Sequence, residues 1–374
     1  MAPPDALIVG AGPAGLSAAI ALRAAGADVI VLEQHPSPPP RVCGAFINPE
    51  GAAHLETLGV MPRLSDAAAP VTDATLTWAG GGRGRVPIAR SARAGLAVPR
   101  PVLERAMAEH LAAVGGRIRW NARVTGAERR GCIWAVEVMS GTVPDRLVAP
   151  WLVVADGRFS SLSGRRVSKT RAGWFGWNAS FTGVDQPPGA LSLHFGRHGY
   201  VGLLTFLDGT TNVCGLTRRD AAATASWEAV LAEAIDELPA LSSLLRPATR
   251  VDAFRGVGPL PFSRRMWTAD GPLLGGDAAA VGDPYMGEGI SRALGTGPAL
   301  TAALGRGGLE GSPLAMSDRY NAVWRHRYHP RLRFGTVARW MLGHPRLSPS
   351  ALTQVVSHPF LLRLVLSLTH ATRS

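Results

Sequence analysis

Lysine is all but missing from this chain. Of 39 lysines and arginines only Lys169 is a lysine, so the formal charge of +12 is carried by arginine. That substitution is as much a mark of genome composition as of function, so the positive balance itself is what needs reading. It suits anionic substrates, membrane surfaces or carrier proteins. Nucleic acid is not an expected partner, because no recognised binding module accompanies the charge. Cysteine is scarce too. Cys43, Cys132 and Cys214 stand far apart and without metal-ligand spacing, which argues against a metal centre and for a reducing cytoplasm. No uninterrupted apolar stretch reaches the ~18 residues expected of a membrane span. Met1-Ala-Pro-Pro-Asp5 runs straight into an apolar segment, leaving no room for a signal peptide. A cytoplasmic protein is expected, soluble or at most peripheral to a membrane.

What the chain does have is glycine, 44 residues of it, which suits tight turns and close approach of backbone to a ligand. Glycine and acid punctuate three separated points, each just after an apolar run: Gly10-Ala-Gly12-Pro-Ala-Gly15, Asp156-Gly157 and Gly276-Asp277. Ala6-Leu-Ile-Val9 predicts a short buried strand, Pro13 to Ala25 a helix ended by Gly26, and Asp28 to Glu33 a second strand. This is a βαβ opening, with proline tolerated in the first helical turn. Helices are predicted at 50–59 and 101–114, the latter with Leu103, Met107, Leu111 and Val114 on one stripe. Short strands are predicted within 71–98, around a glycine-rich turn at 80–84, and at 117–124, 132–139 and 147–155.

From about residue 172 the character changes. Leu191–Phe195, Tyr200–Phe206 and Thr211–Leu216 predict an antiparallel set with Asp208-Gly209 as a hairpin turn, and 226–237 a helix. Residues 318–342 and 350–371 predict helices. The fold class expected is α/β (α+β): a Rossmann-like nucleotide-binding domain interleaved with an antiparallel-sheet substrate domain. The first takes residues 1–70, 98–170 and 266–310, the second 71–97 and 171–265, and a C-terminal helical region takes 311–374.

Each punctuation point has a chemistry. Gly10 permits the tight turn, Gly12 lets backbone approach a pyrophosphate, and Gly15 lets the helix pack closely on the sheet. The helix N-terminus adds unpaired N–H donors and a positive dipole. Glu33, 18 residues beyond Gly15, stands where a carboxylate can accept ribose hydroxyls. Asp156 closes the apolar run Trp151-Leu-Val-Val-Ala155, where an acid can orient a cofactor. Taken alone, Asp-Gly is an ordinary turn. Asp277 follows Leu273-Leu-Gly-Gly276, placed for hydroxyls of a ribityl chain. Backbone donors near Gly287 and Gly289 suit negative charge at the flavin N1–C2 carbonyl edge. Three such points in this order indicate one large dinucleotide threaded through the fold, FAD.

With these motifs the chain resembles FAD-dependent oxidoreductases of the p-hydroxybenzoate hydroxylase fold over about residues 5 to 310. That group includes aromatic hydroxylases and geranylgeranyl reductases. The resemblance implies that Gly10, Gly12, Gly15 and Glu33 hold the ADP part and that Arg41 and Arg100 contact the cofactor. It further implies that Asp156 belongs to the middle motif, that Asp277, after Gly276, meets the ribityl chain, and that Pro284 borders the flavin ring. Two departures stand out. Ala280 and Gly289-Ile290-Ser291 replace the histidine and glycine-leucine-asparagine of many hydroxylases. Gly287-Glu288-Gly289-Ile290, with Cys43-Gly44, is nearer to the geranylgeranyl reductase and halogenase-like branch. In the middle motif Ser163 follows Ser160, and Arg165 comes later than the family's arginine. With a single dinucleotide fingerprint in view, the expected electron donor is NAD(P)H docking transiently, or another donor.

Catalytic candidates are Cys43, His194 and Tyr200. Cys43 is read either as a thiol facing flavin or substrate or as a small buried hydrophobe. His194, His198 and Tyr200 lie on the predicted substrate sheet, for proton transfer or for ordinary packing. His326 and His329 lack a third ligand and suit a solvated helix face, so no metal is expected. Trp174, Phe175, Trp177, Phe181, Phe195 and Phe206 make the middle sheet aromatic, as core or as walls for a small hydrophobic substrate. In the tail, Arg319, Arg325, Arg327, Arg331, Arg333, Arg339 and Arg346 form a basic stretch with little acid, followed by apolar Phe360–Leu368. This reads as a solvated face or as contact with a membrane surface or carrier protein.

The reaction expected is hydroxylation of a hydrophobic aromatic or polyketide-like molecule through a flavin C4a-hydroperoxide. The alternatives are a flavin-dependent reductase of carbon–carbon double bonds and a non-catalytic flavin- or lipid-binding accessory protein. Halogenation is disfavoured, since Lys169 is the only lysine available for a relay.

Overall fold

The computed structural model describes residues 2–89, 93–163, 172–220, 225–262, 271–305, 313–344, 347–358, 360–362 and 365. Lys169, Arg165, Arg346 and most of the apolar run 360–368 lie outside the described residues. The chain opens as a parallel sheet. Strand Ala6–Val9 lies at its centre, flanked by Trp151–Val154 and Val29–Leu32, with Leu273–Leu274 and Arg117–Arg119 at the edges. The central strands are buried on both faces, as continuous Val/Ile/Leu runs in a covered parallel sheet require. Helix Pro13–Ala24 covers one face and packs on helices Arg100–Ala113 and Thr296–Leu304. All three punctuation points therefore leave the carboxyl ends of strands in one sheet, where open α/β sheets bind ligands.

A second, eight-stranded sheet carries Asp73–Trp78, Gly82–Pro87, Ala172–Thr182, Leu191–Gly196, Gly199–Thr205 and Thr211–Asp220, with short strands Thr249–Arg250 and Arg255–Val257 at one margin. The predicted hairpin at Asp208-Gly209 is there, with Gly209 at φ 82°. The sheet is mixed, not wholly antiparallel, because Leu191–Gly196 pairs in parallel with Asp73–Trp78. One face packs on helices Trp227–Glu237 and Pro239–Leu245, burying Trp177, Phe181, Val201 and Leu203. The other carries Phe195, Leu204 and partly buried Tyr200.

Three predicted elements are corrected. The strand expected at 117–124 is two strands, Arg117–Arg119 and Ala122–Arg130, in different sheets. Asn121 turns between them at φ 55°, a left-handed conformation that asparagine tolerates better than most residues. The stretch 147–155 also breaks, at Pro150, between Val143–Ala149 and Trp151–Val154. The helix expected over 350–371 breaks after Ser357, where His358 is extended. Beyond these, a 30-residue helix spans Pro313–Leu342 and a shorter one Ser348–Ser357.

Candidate active site

The turn after the first strand is fixed by backbone contact. Gly10 stands at φ 99°, and a Cβ there would lie 2.6 Å from the Ala155 carbonyl oxygen at the neighbouring strand end. A Cβ on Gly15 would lie 1.9 Å from the Gly10 carbonyl oxygen, so helix and turn touch backbone to backbone. Gly12 caps that helix and has open space where its Cβ would be, as does Gly289. Both border a cavity of about 690 Å³ at the carboxyl end of the parallel sheet.

Gly10, Gly12, Glu33, Arg41, Cys43, Arg100, Asp156, Asp277 and Gly289 all line this cavity. Gly15 and Gly276 lie beneath it and do not: Gly276 takes φ 55°, and a Cβ there would meet that of Ala14 at 2.8 Å. Pro284 begins the 3₁₀ turn Pro284–Met286 and Gly287 closes it in the left-handed conformation against Phe46. Neither Pro284 nor Gly287 is among the residues lining the cavity.

Glu33 accepts the Ala11 N–H at 2.8 Å on one oxygen and the His35 N–H at 3.0 Å on the other. It is thus locked to the glycine turn and, because the second oxygen also meets His35 Nδ1 at 2.6 Å, keeps one lone pair, on the first oxygen, for a ligand. Asp277 accepts from Arg292 Nη2 at 2.9 Å and faces Arg158 Nε at 3.6 Å. Arg100 bonds Glu104 and approaches the Cys43 sulfur at 3.6 Å. Burial works against the Arg100 charge, but Cys43 and Glu104 more than offset it and hold the guanidinium charged. The Cys43 carbonyl accepts from Asn212 Nδ2 at 3.0 Å. Nearby Cys214 is pushed up to about 12, by burial first and by Cys43 second.

Sequence reasoning missed the arginines. Arg123, Arg158 and Arg255 join Arg41 and Arg100 on the cavity wall, and Arg292 holds Asp277 from beneath. Arg292 is buried in the short helix Gly289–Leu294, and a lone arginine among apolar and small residues was the available signal. This cavity fits FAD on three observations: open space at Gly12 and Gly289, a cationic wall for two phosphates, and carboxylates at Glu33 and Asp277 for ribose and ribityl hydroxyls.

His194 and Tyr200 are not brought together. His194 pairs across the sheet with Val201 and Tyr200 with Phe195, so the two side chains project from opposite faces. His194 is buried between Thr77 Oγ1 at 2.7 Å and Ser192 Oγ at 3.1 Å, and burial pushes it down to about 4. It is neutral at pH 7 and does not line the cavity. Tyr200 instead joins an aromatic cluster, its ring centroid 5.0 Å from that of Tyr285, which Trp174 and Phe195 flank at 6.0 and 6.2 Å. Burial raises both tyrosine hydroxyls well above their ordinary range, so both stay protonated.

The tail is not simply a solvated basic face. Arg327 Nη2 and Arg331 Nη1 each meet the Glu50 carboxylate at 2.6 Å, and Arg339 Nη1 meets Asp283 at 2.8 Å. Burial would lift Glu50, but hydrogen bonds from His54 and Arg331 and the two arginine charges hold it well below the usual range. Glu288 is buried 3.6 Å from Arg331 and pushed up to about 8, because burial outweighs its attraction to Arg331 and Arg292. Asp283 is likewise raised by burial, to about 6.

A family model described as an FAD binding domain matches residues 4–307. An FAD-dependent monooxygenase of an Arthrinium species is 46% identical over 66 residues, which are 17% of this chain and only 9% of that protein. A menaquinone reductase of Mycolicibacterium smegmatis is 27% identical over 335 residues, covering 82% of this chain and 77% of the relative. Among solved structures, the p-nitrophenol 4-monooxygenase of Pseudomonas putida superposes with a TM-score of 0.82 over 100% of this chain and 99% of that one. At 17% identity that likeness speaks to the fold alone.

Proposed function

This chain belongs to the FAD binding domain family, as an FAD-dependent oxidoreductase, and on that footing we propose that it hydroxylates a hydrophobic aromatic or polyketide-like molecule. The observation that carries the cofactor is the convergence of Gly12, Glu33, Asp156, Asp277 and Gly289 on one arginine-walled cavity. What favours hydroxylation is the aromatic cluster of Trp174, Phe195, Tyr200 and Tyr285, next to the turn that leads into Gly289. Such a face positions an electron-rich ring and excludes water. Attack by that ring needs placement more than a strong acid or base. Both tyrosines stay neutral there, and the nearest buried acid, Asp283, is spoken for by Arg339.

Bound FAD supplies the electron and oxygen chemistry. The chain holds its anionic half against Arg41, Arg100, Arg123, Arg158 and Arg255, and fixes its hydroxyls at Glu33 and Asp277. NAD(P)H, docking transiently, is the donor this reading assigns. A second reading, reduction of carbon–carbon double bonds, is favoured by one finding: the relative aligned over most of the chain is named a reductase. In that case Cys43, the thiol on the cavity wall, is the proton donor closest to hand.

Turnover with and without oxygen separates the two. A product heavier by one oxygen, with oxygen consumed, supports hydroxylation. A product gaining two hydrogens without oxygen supports the reductase. Neither product forming under either condition, whatever candidate substrate is supplied, points instead to a flavin- or lipid-binding accessory role.

A further inference from the structure

We propose that the outward face of the Pro313–Leu342 helix docks on a bilayer containing anionic phospholipid. This helix has two different sides. Its inner side buries Tyr320, Trp324 and Tyr328 and spends Arg327, Arg331 and Arg339 on Glu50 and Asp283. Its outer side exposes Arg325, Arg333, Val337 and Trp340. Arg333, Val337 and Trp340 follow one another at helical spacing of four and three residues, so they form one stripe. Val337 is 52% and Trp340 66% exposed, and the segments that follow expose Leu347 at 39% and Phe360 at 75%.

Charge selects the occupant. No aspartate or glutamate follows Asp318 anywhere in the sequence. The inner arginines are neutralised by carboxylates from other elements, whereas Arg333 faces outward on the stripe of Val337 and Trp340, and Arg325 is exposed two turns earlier. Arginine flanking an exposed tryptophan on a helix lying along the surface is the arrangement that anionic lipid headgroups and the acyl boundary satisfy together. A bilayer accepts side chains that project singly, where a protein partner needs a groove shaped for each. Contact is peripheral, since among the described residues no helix is long and apolar enough to cross a membrane.

The same helix walls the aromatic cluster. It packs on the Pro284–Met286 turn that carries Tyr285; a Cβ on Gly335 would lie 3.1 Å from Asp283, and one on Gly343, just past the helix end, 2.6 Å from the Trp174 ring. Lipid surface and cluster are thus separated by the thickness of one helix, roughly 10 Å. This deepens the reading of a hydrophobic substrate by making the bilayer its source, but docking is measured without substrate or turnover, so either can fail alone.

The test is co-sedimentation of the FAD-loaded protein with vesicles of phosphatidylcholine, alone or mixed with phosphatidylglycerol. The mixed vesicles should bind it and the neutral ones leave most in solution, with binding reversed by salt. R325Q and R333Q should each weaken binding to the mixed vesicles about fivefold. V337S/W340S should lose binding on the order of tenfold or more while keeping its flavin spectrum and melting temperature. Wild-type protein that stays in solution with both vesicles overturns the proposal, as does binding that none of these variants weakens. A dimer in light scattering that W340S alone dissolves also overturns it, assigning the face to a second copy of the chain.

Discussion

The nucleotide cradle and the C-terminal brace both grip the segment from Gly276 to Arg292, and they do so by opposite means. The cradle is backbone against backbone: Gly15 against Gly10, Gly10 against Ala155. The brace is side chain against side chain, between charges 277 and 281 residues apart for Glu50 with Arg327 and Arg331, and 56 apart for Asp283 with Arg339. In the first, what matters is the absence of a Cβ at a few positions. In the second it is the matching of charges, because a buried charge left without its partner is costly whatever its neighbours.

The sharpest way to break the cradle alone is G15V. Its Cβ would sit 1.9 Å from a backbone oxygen that cannot move aside without breaking the turn, so this variant should yield no FAD-loaded protein at all. G12A is the control that sharpens the point. It meets nothing in the protein but points into the cavity, so apoprotein stability should hold while FAD affinity drops about tenfold or more, some 1.4 kcal/mol. Fluorescence titration of the apoprotein with FAD checks both. Equal damage from the two would mean that the clash is not what makes Gly15 necessary.

The brace should fail by charge. E50A leaves Arg327 without its carboxylate and Arg331 with only Glu288, 3.6 Å away, at a cost of about 3–5 kcal/mol. Urea unfolding should show it, and a loss below 1 kcal/mol would mean water reaches those arginines. A smaller effect belongs to Glu288. Burial keeps its proton on up to a pH of about 8, while the unfolded carboxyl releases it near 4.5. Between those values the folded state holds more protons than the unfolded one, so this group makes stability fall as pH rises. E288Q should flatten that fall, gaining up to a few kcal/mol over the parent at pH 8.5 and little at pH 5. Asp283, raised to about 6 by burial, slopes the same way over its own shorter range and leaves a residual slope. Melting curves across that range that run parallel for parent and variant would remove Glu288 from the account.

This contrast also explains what could be read in the sequence. The parallel sheet was legible because each of its motifs is local: an apolar run of four or so residues, then glycine or acid, all within a dozen positions. Glu33 was legible because its distance from Gly15 is set by one helix and one strand. The brace was not, since nothing near Glu50 announces Arg331, and the tail arginines look alike on the page whether they point inward, as Arg327 does, or outward, as Arg333 does. Strand 117–124 was misread for a related reason. Its alternation continues through Asn121, and only the competition of two sheets for its two halves breaks it.

His194 is where local pattern misled most, because a strand's period of two decides on which face a residue lies but not which face meets the site. Were His194 an acid or base in the reaction, its loss would cost roughly 10²–10⁴-fold in rate. Its burial away from the cavity predicts instead that H194Q keeps kcat within about threefold, against the loss of hydrogen bonds to Thr77 and Ser192 worth about 1–3 kcal/mol of stability. The pH dependence separates the roles further. Burial pushes His194 down to about 4 from its ordinary 6.5, so the unfolded chain takes up a proton at this residue that the folded one refuses. Stability should fall as pH drops from 6.5 towards 4, and H194Q should blunt that fall. A variant that instead shifts the pH profile of kcat, with the acid limb of stability unchanged, would return His194 to the substrate.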